Sequence, residues 1–324
     1  MTEYRALKGI KIKTVTSDPP ASVGRGQMWY NSTALDYKTA VKVSAWSSGG
    51  NLGTARYNLA GAGTQTAGLA FGGSTNPSGA ASNTTEEYNG SSWAEQNNLG
   101  TARYAMGGTG TQTAALSFAG RPPSSGTTAS EEYGGTSWTS GGTMNTGRIG
   151  LGALGTQTAA LGFGGSPPVM ANTEEYDGSS WTNGGNLNTA KENTAGSGTQ
   201  TAGLKFGGRP PTNATEAYDG SSWTTLPATL NTGRGYLQGC GTQTAALGFG
   251  GYNPPGHLTL SEAYDGSSWT AKPALAVARR QFYSANAGPS TEALAFGGEN
   301  SGSGQIATTE EYSEADTVKV ITDS

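Results

Sequence analysis

The chain has 324 residues, of which 53 are glycine, only 34% are hydrophobic and 9% are aromatic; 19 basic and 23 acidic side chains give a formal charge of −4. A single cysteine, Cys240, excludes an internal disulfide framework, and a single histidine, His257, excludes a Cys/His metal cluster. Lys and Arg are scattered singly, which excludes the basic stripe of a nucleic-acid binder, and no stretch is apolar for long enough to span a bilayer.

The opening MTEYRALKGIKIKTV is basic but lacks the apolar core of a signal peptide, so the expectation is a chain made in the cytoplasm and not exported by that route. Residues 1–40 do not fit the repeat that follows. Beyond them the composition is uniform, and a glycine-rich segment ends on a phenylalanine at Phe71, Phe118, Phe163, Phe206, Phe249 and Phe296, with spacings of 47, 45, 43, 43 and 47. After each Phe comes a tyrosine: Tyr88, Tyr133, Tyr176, Tyr218, Tyr264 and Tyr312. The first five are followed five residues later by Trp93, Trp138, Trp181, Trp223 and Trp269.

Each unit therefore reads as four short strands: one after a basic residue, one through TQTAALGFGG, one ending on the Tyr and one starting at the Trp. Alternation of Ala159, Leu161 and Phe163 with small residues supports strands, and Asn or Asp before Gly in the Tyr-to-Trp linkers reads as a hairpin turn tolerant of positive φ. Gly, Thr and Ser fill every gap, leaving no place for a helix of any length. The basic residue of each unit (Arg56, Arg103, Arg148, Lys191, Arg234, Arg279) and the acid before the Tyr (Glu86, Glu131, Glu174, Glu216, Glu262, Glu310) recur six times, which predicts a structural ion pair or hydrogen bond in every unit, not a catalytic cluster. Cys240 falls among small residues of the sister units, around Gly110 and Gly198, and reads as a buried filler.

The sixth unit has Tyr312 but Thr317 where its Trp should be. Trp46 stands eight residues before Thr54, as Trp93 stands before Thr101, so residues 41–46 are expected to supply the outer strand of the last unit. The strand-like tail 317–322 either competes for that place or adds a fifth strand beside residues 41–46.

The connection between second and third strands varies most, with Phe-to-Tyr separations of 17, 15, 13, 12, 15 and 16 residues. These connections should emerge on one face, the candidate binding surface. Arg121, Arg209, Tyr252 and His257 are the side chains there best able to hold a ligand, between Pro-Pro pairs at 122–123, 167–168, 210–211 and 254–255 that stiffen the loops. No catalytic residue, metal site or cofactor site is expected.

A double glycine after an apolar strand, then Tyr, then Trp, at a period in the forties, resembles the Kelch repeat over residues 46–312. The resemblance implies an all-β fold: a six-bladed Kelch-type β-propeller with four antiparallel strands per blade, the ring closed by the N-terminal strand. Galactose oxidase is a Kelch-type propeller, but its copper site needs several histidines. EYDGSSW is similar to the sialidase Asp-box except that it lacks the residue between Asp and Gly. Gly26, Met28, Trp29, Tyr30, Asn31, Lys42, Val43 and Trp46 resemble a short module of bacteriophage tail and fibre proteins. That likeness implies a 1–40 segment docking on other virion proteins and a 41–324 propeller displayed on the particle. The expected protein is a non-enzymatic virion surface protein of tail-fibre or adhesin type, assembled in the host cytoplasm. Its expected partner is a host-surface glycan or receptor, with no nucleic acid and no membrane insertion, and with room for a homo-oligomer. A capsid or tail decoration protein without ligand, and a polysaccharide-acting enzyme, are the alternatives.

Overall fold

The computed structural model describes residues 4–7, 10–24, 27–76, 79–122, 126–302 and 304–321; Gly26, Pro123 and Thr322 lie outside the described residues. The chain divides into two compact units, Met1–Ala45 with Ser313–Ser324, and Trp46–Tyr312. Strands Asp36–Ser48 and Thr309–Val320 contribute residues to both.

The fold is all-β and propeller-like, and the one α-helix among the described residues is Ala21–Gly24. In the larger unit, five four-stranded antiparallel sheets follow one another. The first comprises Ala60–Thr64, Ala67–Phe71, Thr85–Tyr88 and Trp93–Gln96, and the second Gly107–Gly110, Ala115–Phe118, Ser130–Tyr133 and Trp138–Ser140. The third comprises Gly152–Gly155, Ala160–Phe163, Thr173–Tyr176 and Trp181–Gly184. The fourth comprises Ala195–Thr199, Ala202–Phe206, Thr215–Tyr218 and Trp223–Leu226, and the fifth Gln238–Gly241, Ala246–Phe249, Ser261–Tyr264 and Trp269–Lys272. A terminal group continues the pattern: Tyr283–Ser284, Glu292–Phe296, residues 309–312 and residues 46–48, in that order. Trp46 lies 5.3 Å from Tyr312, ring to ring, and the Gly49 amide donates to Thr309 O at 3.0 Å. Residues 313–320 prolong the third strand of this group, and its outer place falls to residues 46–48, so of the expected 41–46 only Trp46 lies in it.

The second strands are buried on both faces, which explains their Ala, Gly, Leu and Phe composition. Every Trp of the larger unit looks one sheet back. Trp138 packs on Phe71, Trp181 on Phe118, Trp223 on Phe163 and Trp269 on Phe206, with ring centroids 4.8 to 5.0 Å apart. Trp46 does the same with Phe249 of the fifth sheet, and Trp93 with Phe296 of the terminal one, both at 5.0 Å. The indole N–H groups follow the same direction, donating to Thr85, Ser130, Thr173, Thr215, Ser261 and Thr309 hydroxyls at 2.9 to 3.1 Å. Glycine is required opposite some of these rings: a Cβ at Gly239 would meet Phe206 Cζ at 2.4 Å.

The TQT segment is a turn rather than part of the second strand, and its glutamine is a further tie between sheets. Gln112, Gln157, Gln200 and Gln243 each donate at 2.7 Å to the carbonyl of the preceding sheet's tyrosine. Gln65 reaches Tyr312 O at 2.5 Å. In the Tyr-to-Trp turns the positive φ falls on glycine, as at Gly178 (92°). Asp177 does not adopt it; its Oδ1 caps the turn by accepting from the Ser179 and Ser180 amides, each at 2.8 Å.

Tyrosine hydroxyls bridge sheets too: Tyr133 donates to Glu87 at 2.9 Å, Tyr176 to Glu132 and Tyr218 to Glu175 at 2.5 Å, and Tyr88 to Glu311. Burial, with those carboxylates beside them, pushes Tyr88 and Tyr176 up from the ordinary 10.0 to about 12. The folded protein thus holds protons that the unfolded chain releases at pH 10, and stability must fall as pH rises from there. Tyrosinate absorbance is expected to lag free tyrosine and then rise together with unfolding; a smooth titration centred near 10 would contradict this.

The predicted ion pairs form in five units: Arg56–Glu86 at 2.7 Å, Arg103–Glu131 at 2.9 Å, Arg148–Glu174 at 3.3 Å, Arg234–Glu262 at 2.5 Å and Arg279–Glu310 at 2.6 Å. The guanidinium also binds strand ends, as Arg56 does by donating to Gly72 O and Thr84 O at 3.0 and 2.7 Å. The second carboxylate oxygen accepts a backbone amide, Gly53 to Glu86 at 2.7 Å and its equivalents. The fourth unit departs from expectation. Lys191 donates to Pro210 O at 3.2 Å, and Glu216 pairs instead with Lys205 at 3.2 Å, from the second strand of the same sheet. Lys205 occupies a position held by Ala70, Ser117, Gly162, Gly248 and Ala295 in the other units. In this unit the cation comes from the second strand, and the lysine at 191 lacks both the length and the planar fork of the arginines at the equivalent positions.

In the smaller unit, Tyr4–Leu7 pairs with Ile10–Val15, which runs parallel to Met28–Asn31, which in turn pairs antiparallel with Asp36–Ser48. Asp18 accepts from Trp29 Nε1 at 3.0 Å, Asn31 Nδ2 at 2.7 Å and Lys38 Nζ at 2.8 Å, which holds its carboxyl down at about 2. Asn31 also caps the following turn through the Thr33 and Ala34 amides, both at 3.0 Å. Trp29 and Asn31, two of the residues resembling the phage module, therefore have a structural task.

Candidate functional site: a pocket where the first strands meet

Each first strand contacts the next, and Tyr283–Ser284 contacts both Gln238–Gly241 and Ala60–Thr64. Just before each first strand, one residue bridges the segment after the second strand: Tyr57 with Ser74, Tyr104 with Arg121, Ile149 with Ser166, Glu192 with Arg209, Gly235 with Tyr252 and Arg280 with Glu299. The next residue has positive φ in all six repeats: Asn58, Ala105, Gly150, Asn193, Tyr236 and Gln281, between 51° and 62°. Their backbones join in series. Asn58 N donates to Gln281 O, Ala105 N to Asn58 O, Gly150 N to Ala105 O, Asn193 N to Gly150 O and Tyr236 N to Asn193 O, at 2.5 to 2.9 Å.

These residues line a small pocket of about 40 Å³, with Leu59, Met106, Leu151, Leu237 and Phe282 beneath them. Tyr283 seals the floor: its hydroxyl donates to Gly108 O at 2.8 Å and accepts from Gly108 N at 3.0 Å, across to the second sheet. Asn286 Nδ2 donates to the same carbonyl at 3.0 Å. Tyr283→Phe removes the acceptor of a buried amide, so a loss of about 1–3 kcal/mol is expected in denaturant unfolding. An unchanged midpoint would show that the amide finds water instead.

Three of the four predicted site residues converge beside this pocket. The Arg209 guanidinium lies 5.2 Å from the Tyr236 ring centre and 6.0 Å from that of Tyr252, while Arg280 lies 4.7 Å from Tyr252 and 5.7 Å from Tyr236. His257 faces Tyr252 at 5.7 Å between ring centres, and its Nε2 is 4.0 Å from Glu299 Oε1. The histidine is not the solvated loop residue its Pro-rich surroundings imply, since its side chain is only 9% exposed. Burial and nearby Arg280 hold its pKa below the ordinary 6.5, which leaves the ring neutral at pH 7. Burial likewise raises the Tyr236 hydroxyl, against the pull of Arg209. Arg121 is exposed and bridges Tyr104 through its backbone; among the described residues no contact joins it to the Arg209 cluster.

Tyr236, Arg280, Glu299 and Gln281 were not picked out from sequence, although a signal was present. The residues after the recurrent basic one read YN, YA, IG, EN, GY and RQ, and the residue after the double glycine reads Ser, Arg, Ser, Arg, Tyr and Glu, the second unit having AG for GG. They change from unit to unit while their neighbours repeat. Cys240 is fully buried, and burial pushes its thiol up to about 12, so it is no nucleophile. The strand register aligns it with Thr109, Leu154 and Ser197, one position before the glycines with which it was compared. Among the described residues no group of three His, Cys, Asp or Glu side chains is placed to hold a metal, and no helix is long and apolar enough to cross a membrane. No protein-family model matches the chain, and none of the curated proteins matches it.

Proposed function

We propose that this chain is a non-enzymatic virion surface protein, in which a closed six-bladed Kelch-type propeller is displayed for attachment to a host-surface glycan and the N-terminal segment anchors it to the particle. The closed ring is supported by the Trp-to-Phe contacts, which run one sheet back in all six cases, the first sheet reaching the terminal one through Trp93 and Phe296. The observation that carries the attachment reading is where the repeats differ: the pocket edge is asymmetric in units that otherwise repeat their core residues. A purely structural array gains nothing from that asymmetry, whereas a ligand site requires it. Tyrosine rings and side-chain amides around a small pocket suit sugar faces and hydroxyls, and weak single sites become strong through copy number.

Anchoring is supported by exposed apolar side chains in the smaller unit, where Met28, Leu35, Val43, Val320 and Ile321 are all more than a third exposed. Purified full-length chain is expected to bind a defined subset of a bacterial surface-polysaccharide array without releasing reducing ends. Absence of binding across the array would sink attachment in favour of decoration, and depolymerisation would establish an enzyme.

A further inference from the structure

We propose that Arg209 anchors the carboxylate of an acidic saccharide, with the sugar lying across Tyr236 at the pocket edge. This rests on the attachment reading and names its ligand class. Arg280 is already neutralised, since its Nε and Nη2 both lie 2.5 Å from Glu299 Oε1. Arg209 is half-buried and has no carboxylate within ion-pair distance among the described residues. Its bridge partner Glu192 lines the same edge but is engaged elsewhere, accepting the Ser166 hydroxyl. A half-buried guanidinium stacked on two tyrosine rings and left without an anion is preorganised for one, and its planar fork matches a carboxylate in two-point fashion.

The rest of the edge selects a sugar over an acidic peptide. Asn58, Asn193 and Gln281 present amides that both donate and accept, as hydroxyl groups need. The pocket itself, lined by Phe282 and Tyr283 at its base, is small and suits a compact group. His257, neutral at pH 7, adds no competing charge.

The test is calorimetric titration of the full chain with uronate trimers and a sialyl oligosaccharide, against their methyl esters and a glutamate-rich peptide. Binding of at least one acid is expected, weakened tenfold or more by esterification and by Arg209→Gln, with Arg209→Lys intermediate because it keeps charge without the fork. The ester comparison uses the unaltered chain and does not depend on how a variant folds. Equal binding of acid and ester, or a preference for the peptide, overturns the proposal. If polysaccharides on the array are still bound in that case, attachment stands and only the acidic ligand falls; if none is bound, both fall.

Discussion

Lys205→Ala is expected to destabilise the protein by about 3–5 kcal/mol, and adding Lys191→Arg to that variant is expected to recover most of the loss. Lys205 is fully buried and Glu216 is 2% exposed, so removing the lysine strands a carboxylate whose remaining partner is the Asn188 amide at 2.8 Å. Burial, with a smaller push from nearby Lys191, lowers the Lys205 pKa, and Glu216 opposes that shift, so each charge is tolerated because of the other. An arginine at 191 beside a small residue at 205 recreates the arrangement of the third and fifth units, where Arg148 and Arg234 stand with Gly162 and Gly248. Lys191→Arg alone brings two cations to one carboxylate and should not stabilise. The two substitutions are therefore strongly non-additive, and chemical denaturation of the four proteins in the cycle measures this. Additive effects would show that position 191 cannot reach Glu216.

Trp46→Ala carries the second large effect, about 3 kcal/mol, at the lower end for a tryptophan because the ring is only partly buried. Trp46 packs on Phe249 and Tyr312 and donates to the Ser261 hydroxyl at 3.1 Å, so its removal loosens residues 46–48 from residues 309–312 and from the fifth sheet together. Amide exchange should accelerate at Gly49, which bonds Thr309, and at Leu52, which bonds Ala307. Trp223→Ala, in a buried position, should cost more without affecting those two amides. Unchanged exchange at Gly49 in Trp46→Ala would show that the N-terminal strand holds its place by backbone pairing alone.

The repeat made the strands legible, because a period in the forties with Tyr and Trp at fixed offsets constrains four short strands whatever the tertiary arrangement. It also made Trp46 legible, since a missing tryptophan at one end and a spare one at the other is a matter of counting. Identity of contact partners was less accessible. The exchange of Lys191 for Lys205 depends on which strand faces Glu216, and that follows from register. Gln65 and its equivalents look like part of a strand until the turn places them against the previous sheet. At the site, Arg209, Tyr252 and His257 stood out as unusual side chains in loops, but their grouping with Tyr236 and Arg280 arises from segments in different repeats. Arg121 met the same description and lies apart from the group.

The outer strand of the terminal sheet comes from residues 46–48, so one sequence period begins at an outer strand and finishes at a third strand of the following sheet. The unit of copying and the unit of architecture are thus out of phase by one strand. Gain or loss of a whole copy leaves the same splice, Trp46 against whichever copy is last, so the number of sheets can change by tandem duplication without any new joint having to be invented.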